Sequence, residues 1–211
     1  ANIGIWFSGF RGNERHYHKI VRTAYRKFVM LVIVSTIPTG VIGILFKDTV
    51  ELAGTVLVVP GICLLITSVF LVIADYADEG TKRPREASYV NAGLIGVAQG
   101  IATMPGLSRS GTTITACLLC GFEKKFAVKY SFIMSIPAVL GAVVLELKDV
   151  AKAPLQASAV PACAVATVIS AIVGYLSICI MMRLIQGKKY KIFAVYCAIV
   201  GLITVGYGIF R

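Results

Sequence analysis

Five apolar runs, each long enough to cross a lipid bilayer as a helix, constrain the fold of this chain more than any other feature. They cover residues 28–46, 52–74, 126–147, 155–185 and 192–210. A spanning helix needs roughly 20 apolar residues. Within hydrocarbon the backbone polar groups must be satisfied inside the segment, so these runs are predicted to be helices rather than strands. We therefore predict an all-α, polytopic membrane helical bundle, with residues 1–211 forming a single transmembrane domain.

Charge placement also indicates a membrane protein and argues against a nucleic-acid partner. The net charge is +11, yet the mean hydropathy is +0.83 and 57% of the residues are hydrophobic. The basic residues gather in short loops between the apolar runs, near positions 11–27, 82–85, 124–129 and 183–191. This bias is typical of cytoplasmic loops. We expect a multi-pass protein of the cytoplasmic membrane that binds no nucleic acid.

The six cysteines do not indicate a metal site or a disulfide framework. All of them lie in apolar segments. Cys117 and Cys120 form a CxxC pair, but no second pair or nearby histidine completes a zinc set. We interpret the cysteines as small apolar core residues and predict no metal-ligating residue in this chain.

Residues 88–121 are predicted to form a re-entrant helix-loop-helix hairpin. The segment contains two apolar stretches, 89–104 and 114–121, and the polar break PGLSRSGTT at 105–113 divides them. Neither stretch is long enough to span comfortably. Irregular backbone at membrane depth is tolerated only where it is buried in protein or lines a watery cavity. The function of the chain is therefore to be sought at this break.

Arg109 is the most informative residue of the break, because a charge within an apolar segment is costly and persists only with a partner or a task. Its guanidinium presents a rigid fork of donors that matches phosphate geometry. Pro105 and Gly106 end the first half-helix, and the second half-helix starts near Ser108. The free N–H groups and positive dipole end of that second helix point toward the break. This arrangement predicts a binding site for a diphosphate.

Candidate roles at the break follow from side-chain chemistry. We assign Arg109 to clamping the diphosphate and stabilising its charge, and Ser108 or Ser110 to binding a phosphate oxygen, with either serine a candidate nucleophile. The candidate substrate-binding residues share small or polar side chains near the break: Gly106, Gly111, Thr112, Thr113 and Gln99. In the alternative interpretation, Ser108 only caps a helix while Arg109 extends to water at the interface.

The segment GVAQGIATMPGLSRSGTT, residues 96–113, closely resembles the second signature of the undecaprenyl-diphosphatase (bacitracin-resistance) family, P-G-x-S-R-S-x-x-T. Six residues match its fixed positions: Pro105, Gly106, Ser108, Arg109, Ser110 and Thr113. The stretches 131–142 and 36–48 also look like helices of that family, so the resemblance covers nearly the whole chain.

The resemblance implies a membrane hydrolase that removes the terminal phosphate from a C55 polyprenyl diphosphate, with its active site facing outward from the bacterial cytoplasmic membrane. The product is the monophosphate carrier for peptidoglycan precursors. The family fold has six spanning helices and two re-entrant hairpins related as an inverted repeat. The expected partners are the polyprenyl diphosphate substrate, membrane lipid and, as a homodimer, a second copy of the chain.

The chain departs from the family at the first motif, an E-x-x-x-E pattern with a downstream S-S-x-G-H. No such pattern precedes Arg11, and His16 and His18 lie in a basic loop where we expect solvated side chains. The apolar stretch 3–7 looks like the end of a helix whose start is absent, so we expect the N-terminal hairpin to be missing. The family implies a divalent cation, Mg²⁺ or Ca²⁺, but the acid nearest in sequence to Arg109 is Glu123.

Other functional classes stay open at the sequence level. A histidine-based lipid phosphatase needs a histidine after the Ser-Arg pair, and none follows His18. Half-helix ends within the membrane also hold anions in secondary transporters, so a flippase for a lipid phosphate or a carrier of a small anion is the main alternative. An inactive, truncated remnant of the enzyme is the third.

Overall fold

The structure, a computed structural model, describes residues 24–77, 80–150, 160–186 and 190–210. Within these ranges it contains helices and no strand, which confirms the all-α fold class. In chain order the helices are α1 (Ala24–Leu45), α2 (Lys47–Thr55), α3 (Val58–Tyr76), α4 (Tyr89–Ile101), α5 (Arg109–Leu119), α6 (Lys124–Val150), α7 (Val160–Gln186) and α8 (Tyr190–Phe210). The predictions for residues 3–23, including His16 and His18, lie outside the described residues.

Five of the described helices are long and apolar enough to cross a membrane: Tyr25–Leu45, Val58–Tyr76, Lys124–Leu147, Pro161–Ile180 and Tyr190–Phe210. The second one begins later than the apolar run 52–74, because residues 47–55 form the separate helix α2. Val56 is extended and interrupts the helix before α3 starts. Pro60 then lies in the first turn of α3, where a missing N–H is tolerated.

The two short helices α4 and α5 form a hairpin whose two ends meet. The Lys82 N–H donates to the Gly121 carbonyl at 3.0 Å, and the Glu123 N–H donates to the Lys82 carbonyl at 3.0 Å. The Lys82 ammonium adds a 2.9 Å bond to the Cys120 carbonyl. The segment thus enters and leaves at the same end of the bundle, as a re-entrant hairpin requires.

Helix α4 packs closely against α1 because Gly96 presents no side chain at their crossing. A Cβ on Gly96 would lie 2.1 Å from the Ser35 carbonyl oxygen and 2.6 Å from Pro38 Cγ. Thr39 Oγ1 donates to the Gly96 carbonyl at 2.8 Å across the same crossing. Small residues that let backbones approach are typical of helix interfaces in membranes. The crossing fixes the first arm of the hairpin on the bundle.

Helices α3 and α8 form a second close pair. A Cβ on Gly201 would lie 3.0 Å from the Gly61 carbonyl oxygen, so the two backbones nearly touch. Ser68 Oγ donates to the Ala194 carbonyl at 2.8 Å farther along the pair. By contrast, none of residues 161–180 of α7 is buried within the described structure. The packed core therefore lies among α1, α3, α4, α5, α6 and α8.

Aromatic side chains fill the core at the end where the hairpin closes. The rings of Phe122 and Phe126 stack with centroids 4.9 Å apart, and Phe28 and Tyr130 pack against them. The Tyr130 hydroxyl donates to the Leu31 carbonyl at 2.8 Å and ties α6 to α1. Helix α6 is thereby held beside the hairpin at the residue directly before Ser131.

Candidate active site

Residues 102–108 join α4 to α5, and Gly106 sets the path of this turn. Its φ of +86° lies in the left-handed region, which a residue with a Cβ disfavours. A Cβ at this position would also lie 2.3 Å from the Pro60 carbonyl oxygen. Gly106 therefore lets the turn fold directly against the start of α3.

Ser108 is the N-cap of α5. Its side-chain oxygen accepts the Gly111 N–H at 3.1 Å, which satisfies one of the N–H groups left free at a helix start. Its own backbone N–H donates to Thr67 Oγ1 on α3 at 2.9 Å. Arg109 and Ser110 follow as the first two residues of α5. Both lie where the helix dipole favours an anion.

A cavity of about 520 Å³ opens between this turn and α6. One wall is the turn itself, residues 102–107, together with Arg109 and Ser110. The other wall is α6, which contributes Ser131, Phe132, Ser135 and Val139. The lining combines a guanidinium and four hydroxyls with apolar side chains, so the cavity suits an anion attached to an apolar group.

The α6 wall is coupled to α5 through a pair of hydroxyls. Ser131 Oγ and Thr113 Oγ1 form a short hydrogen bond, in which either oxygen can be the donor. Thr113 Oγ1 also donates to the Arg109 carbonyl at 2.8 Å. Thr113 is 1% exposed and Ser131 is 2% exposed, although Ser131 still contributes to the cavity wall.

The predicted site residues fall into two groups. Arg109, Ser110 and Gly106 line the cavity. Ser108 instead caps α5, and Gly111 is buried behind it, where a Cβ would lie 3.1 Å from Ser108 Oγ. The alternative interpretation is therefore correct about the cap of Ser108, whereas Arg109 lies within the cavity wall.

The remaining predicted binding residues are buried away from the described cavity lining. Thr112 is 6% exposed and Gln99 is 0% exposed. The Thr112 hydroxyl and both polar atoms of the Gln99 amide have no hydrogen-bond partner among the described residues. Thr113 reaches the cavity only through its bond to Ser131. Proximity to the break in sequence thus does not place a side chain in the cavity.

Three residues that sequence reasoning did not assign to the site prove to belong to it or to support it: Thr67, Ser131 and Ser135. A signal existed for the two serines, since the stretch 131–142 resembles a helix of the same family. For Thr67 the sequence carries no signal, because it is one hydroxyl in an apolar run.

The described lining does not fit a divalent cation. Mg²⁺ and Ca²⁺ prefer carboxylate and carbonyl oxygens, and the lining includes no aspartate, glutamate or histidine. Elsewhere in the described part of the chain, no group of three His, Cys, Asp or Glu residues could hold a metal ion.

Comparison with known proteins gives a family and close relatives. The model of one family, bacitracin resistance protein BacA, matches residues 3–203. The chain is 41% identical over 194 residues to an undecaprenyl-diphosphatase of Methanosphaera stadtmanae, covering 91% of this chain and 67% of that protein. Proteins of the same name from Halothermothrix orenii and Methanobrevibacter smithii are 39% and 42% identical, with 85% of this chain and 70% and 65% of theirs covered. The chain spans about two thirds of the length of these curated relatives.

Proposed function

The chain belongs to the bacitracin resistance protein BacA family, and from that premise we propose that it is a membrane phosphatase acting on undecaprenyl diphosphate. The products are undecaprenyl phosphate and inorganic phosphate, and the lipid monophosphate is the carrier used in peptidoglycan synthesis. The relatives carry the name of this activity. The observation that carries the proposal is the cavity that joins Arg109 and Ser110 to the serines of α6.

The lining supports an amphiphilic substrate. Arg109 and the hydroxyls supply donors for phosphate oxygens, whereas Phe132 and Val139 supply apolar surface. Val139 is 46% exposed on the bundle, so a prenyl chain can leave the cavity into surrounding lipid. A small soluble anion needs no such apolar exit, and for that reason we favour a lipid diphosphate.

Hydrolysis breaks the bond between the terminal phosphorus and the bridging oxygen, which leaves on the lipid monophosphate. The nucleophile supplies the new oxygen on phosphorus, and it is either the Ser110 hydroxyl or a water held beside it. Ser110 is better placed than Ser108, whose oxygen accepts the Gly111 N–H. Arg109 stabilises charge on the phosphate oxygens during transfer. The proton of the attacking hydroxyl passes to an oxygen of the substrate diphosphate, because the described lining holds no carboxylate or histidine to accept it. After attack by Ser110, water releases phosphate from the phosphoserine.

We propose that the cavity faces outward. Its lining on α6 runs from Ser131 to Val139, which is about 12 Å along the helix axis. That direction leads away from Lys124 and Lys125, at the end where the hairpin closes. Basic loops mark the cytoplasmic side of a bacterial membrane protein. The cavity therefore reaches toward the opposite side of the cytoplasmic membrane.

The test is phosphate release from a C55 prenyl diphosphate by the purified chain in detergent. Arg109→Ala is expected to lower the rate by about 100-fold or more, since a charged donor to the transferring group is lost. Arg83→Ala is the matched control, because Arg83 is exposed and pairs with Glu123 outside the cavity. Equal rates for the parent and Arg109→Ala would refute the proposal. Lipid translocation in vesicles without phosphate release would indicate a transporter instead.

A further inference from the structure

In the hydroxyl pair of Ser131 and Thr113, either oxygen can be the hydrogen-bond donor. Each hydroxyl has one proton to donate and two lone pairs that accept. Thr113 Oγ1 has two kinds of acceptor within reach: carbonyl oxygens of its own helix, at 2.8 Å on Arg109 and 3.3 Å on Ser110, and the Ser131 oxygen. It can donate fully to only one of them, so the pair has two arrangements.

The two arrangements present opposite polarity to the cavity. When Thr113 donates to the Arg109 carbonyl, Ser131 donates to Thr113 and turns its lone pairs toward the cavity. When Thr113 donates to Ser131, the Ser131 hydroxyl is free to donate its hydrogen bond to a group in the cavity. The first arrangement repels an anion, whereas the second one donates to it.

An anion beside Ser131 selects the second arrangement. A hydrogen bond to a charged acceptor is about twice as strong as one between neutral groups, which outweighs the loss of a bond from Thr113 to its own helix. Successive hydroxyls also strengthen one another when all donate in the same direction. Arg109 and Ser110 lie on the facing wall of the cavity, so the anion is held from both sides.

We propose that Ser131 is a phosphate-binding residue of the cavity and that Thr113 positions it, the two forming a hydroxyl relay that turns toward a bound diphosphate. This inference rests on the proposed function and identifies how α6 contributes to substrate binding. It also gives Thr113 a role despite its burial, because Thr113 acts through Ser131 rather than by touching the substrate. Ser135, one turn farther along, lines the same wall.

The experiment is calorimetric titration of the purified chain in detergent with inorganic pyrophosphate. Ser131→Ala is expected to weaken binding by about tenfold or more, the usual cost of a hydrogen bond to a charged group. Thr113→Val is expected to weaken binding by about threefold to tenfold, because Ser131 then keeps no donor behind it. The double variant is expected to bind no more weakly than Ser131→Ala, since both changes break one relay.

Two further variants separate the relay from packing. Thr115→Val is the matched control, since Thr115 is a buried threonine of the same helix whose hydroxyl donates to the Phe70 and Gly111 carbonyls. It is expected to bind pyrophosphate as the parent does. Thr113→Ser keeps the hydroxyl and removes a methyl group, and it is expected to retain binding. Equal losses for Thr113→Ser and Thr113→Val would overturn the relay.

Other results would overturn it as well. The relay is wrong if the parent does not bind pyrophosphate, or if Thr113→Val binds it like the parent. It is also wrong if the affinity losses of the two single variants multiply fully in the double variant. Phosphate release from C55 prenyl diphosphate, measured on the same samples, tests the proposed function separately. A parent that binds pyrophosphate through Ser131 but releases no phosphate refutes the phosphatase and leaves the relay intact.

Discussion

Thr67 of α3 holds the backbone of Ser108 in place: its Oγ1 accepts the Ser108 N–H at 2.9 Å. The same hydroxyl lies 3.4 Å from the Gly106 carbonyl oxygen, to which it donates. Thr67 is 1% exposed, so no solvent competes for these bonds. One side chain on a spanning helix thus holds the backbone of the residues before and after Leu107. Because Arg109 directly follows Ser108, Thr67 also helps to fix the position of the Arg109 backbone at the start of α5.

Replacing Thr67 by valine is expected to reduce phosphate release by about tenfold and to lower the unfolding temperature. Valine has nearly the same shape but leaves the partly buried Ser108 N–H without its acceptor, at a cost of about 1–3 kcal/mol. Thr67→Ser retains the oxygen and is expected to keep most of the activity. Activity assays and thermal unfolding in detergent measure both effects. If the valine variant matches the parent in both, the turn is held by other contacts.

Replacing Gly106 by alanine is expected to abolish most of the activity. The φ of +86° disfavours any Cβ by about 1–2 kcal/mol, and the Pro60 carbonyl oxygen leaves no room for one. The turn must then move away from α3 and carry Arg109 with it. Gly141→Ala is the control, because a Cβ on Gly141 meets nothing within 4 Å. Similar phosphate release by the two variants would show that the turn tolerates displacement.

Alanine variants of Ser108 and Ser110 are expected to differ, the first affecting mainly stability and the second mainly activity. Ser110→Ala removes a hydroxyl from the cavity wall and should lower the rate of phosphate release with little change in unfolding temperature. Ser108→Ala removes the cap of α5, which costs about 1 kcal/mol, and should lower the unfolding temperature. The two measurements are made on the same preparations. Loss of activity without loss of stability in Ser108→Ala would contradict its assignment as a cap.

The hairpin was predictable from sequence because its signals are local. Proline and glycine at 105 and 106 favour a turn through backbone geometry alone, although α4 already ends before them, and a serine at 108 is a favoured N-cap. The family resemblance pointed to the same segment. Helix α4 nevertheless ends at Ile101, three residues before the predicted stretch ends at 104, since residues 102–104 already belong to the turn. Helix ends of this kind depend on tertiary contacts that no local pattern reports.

The α3 and α6 contributions were not predictable, because they depend on contacts between distant positions. The Thr67–Ser108 bond joins residues 41 apart, and the Thr113–Ser131 bond joins residues 18 apart. A single sequence does not show which face of an apolar helix meets the hairpin. Gln99 shows the same limit from the other side. Its polarity suggested a binding role, but its position on α4 buries it within the bundle.

Gly96 is expected to control the position of the hairpin through the α1–α4 crossing. In Gly96→Ala the new Cβ would lie 2.1 Å from the Ser35 carbonyl oxygen, so the two helices must separate and the Thr39 bond to the Gly96 carbonyl must lengthen. Overpacking of this kind costs about 1–3 kcal/mol, and the unfolding temperature in detergent should fall accordingly. Gly93→Ala, on the same helix, meets nothing within 4 Å and should change it little. Phosphate release should fall with Gly96→Ala alone, because α4 carries one end of the turn that supports Arg109. Equal unfolding temperatures for the two variants would mean that the crossing is looser than the structure has it.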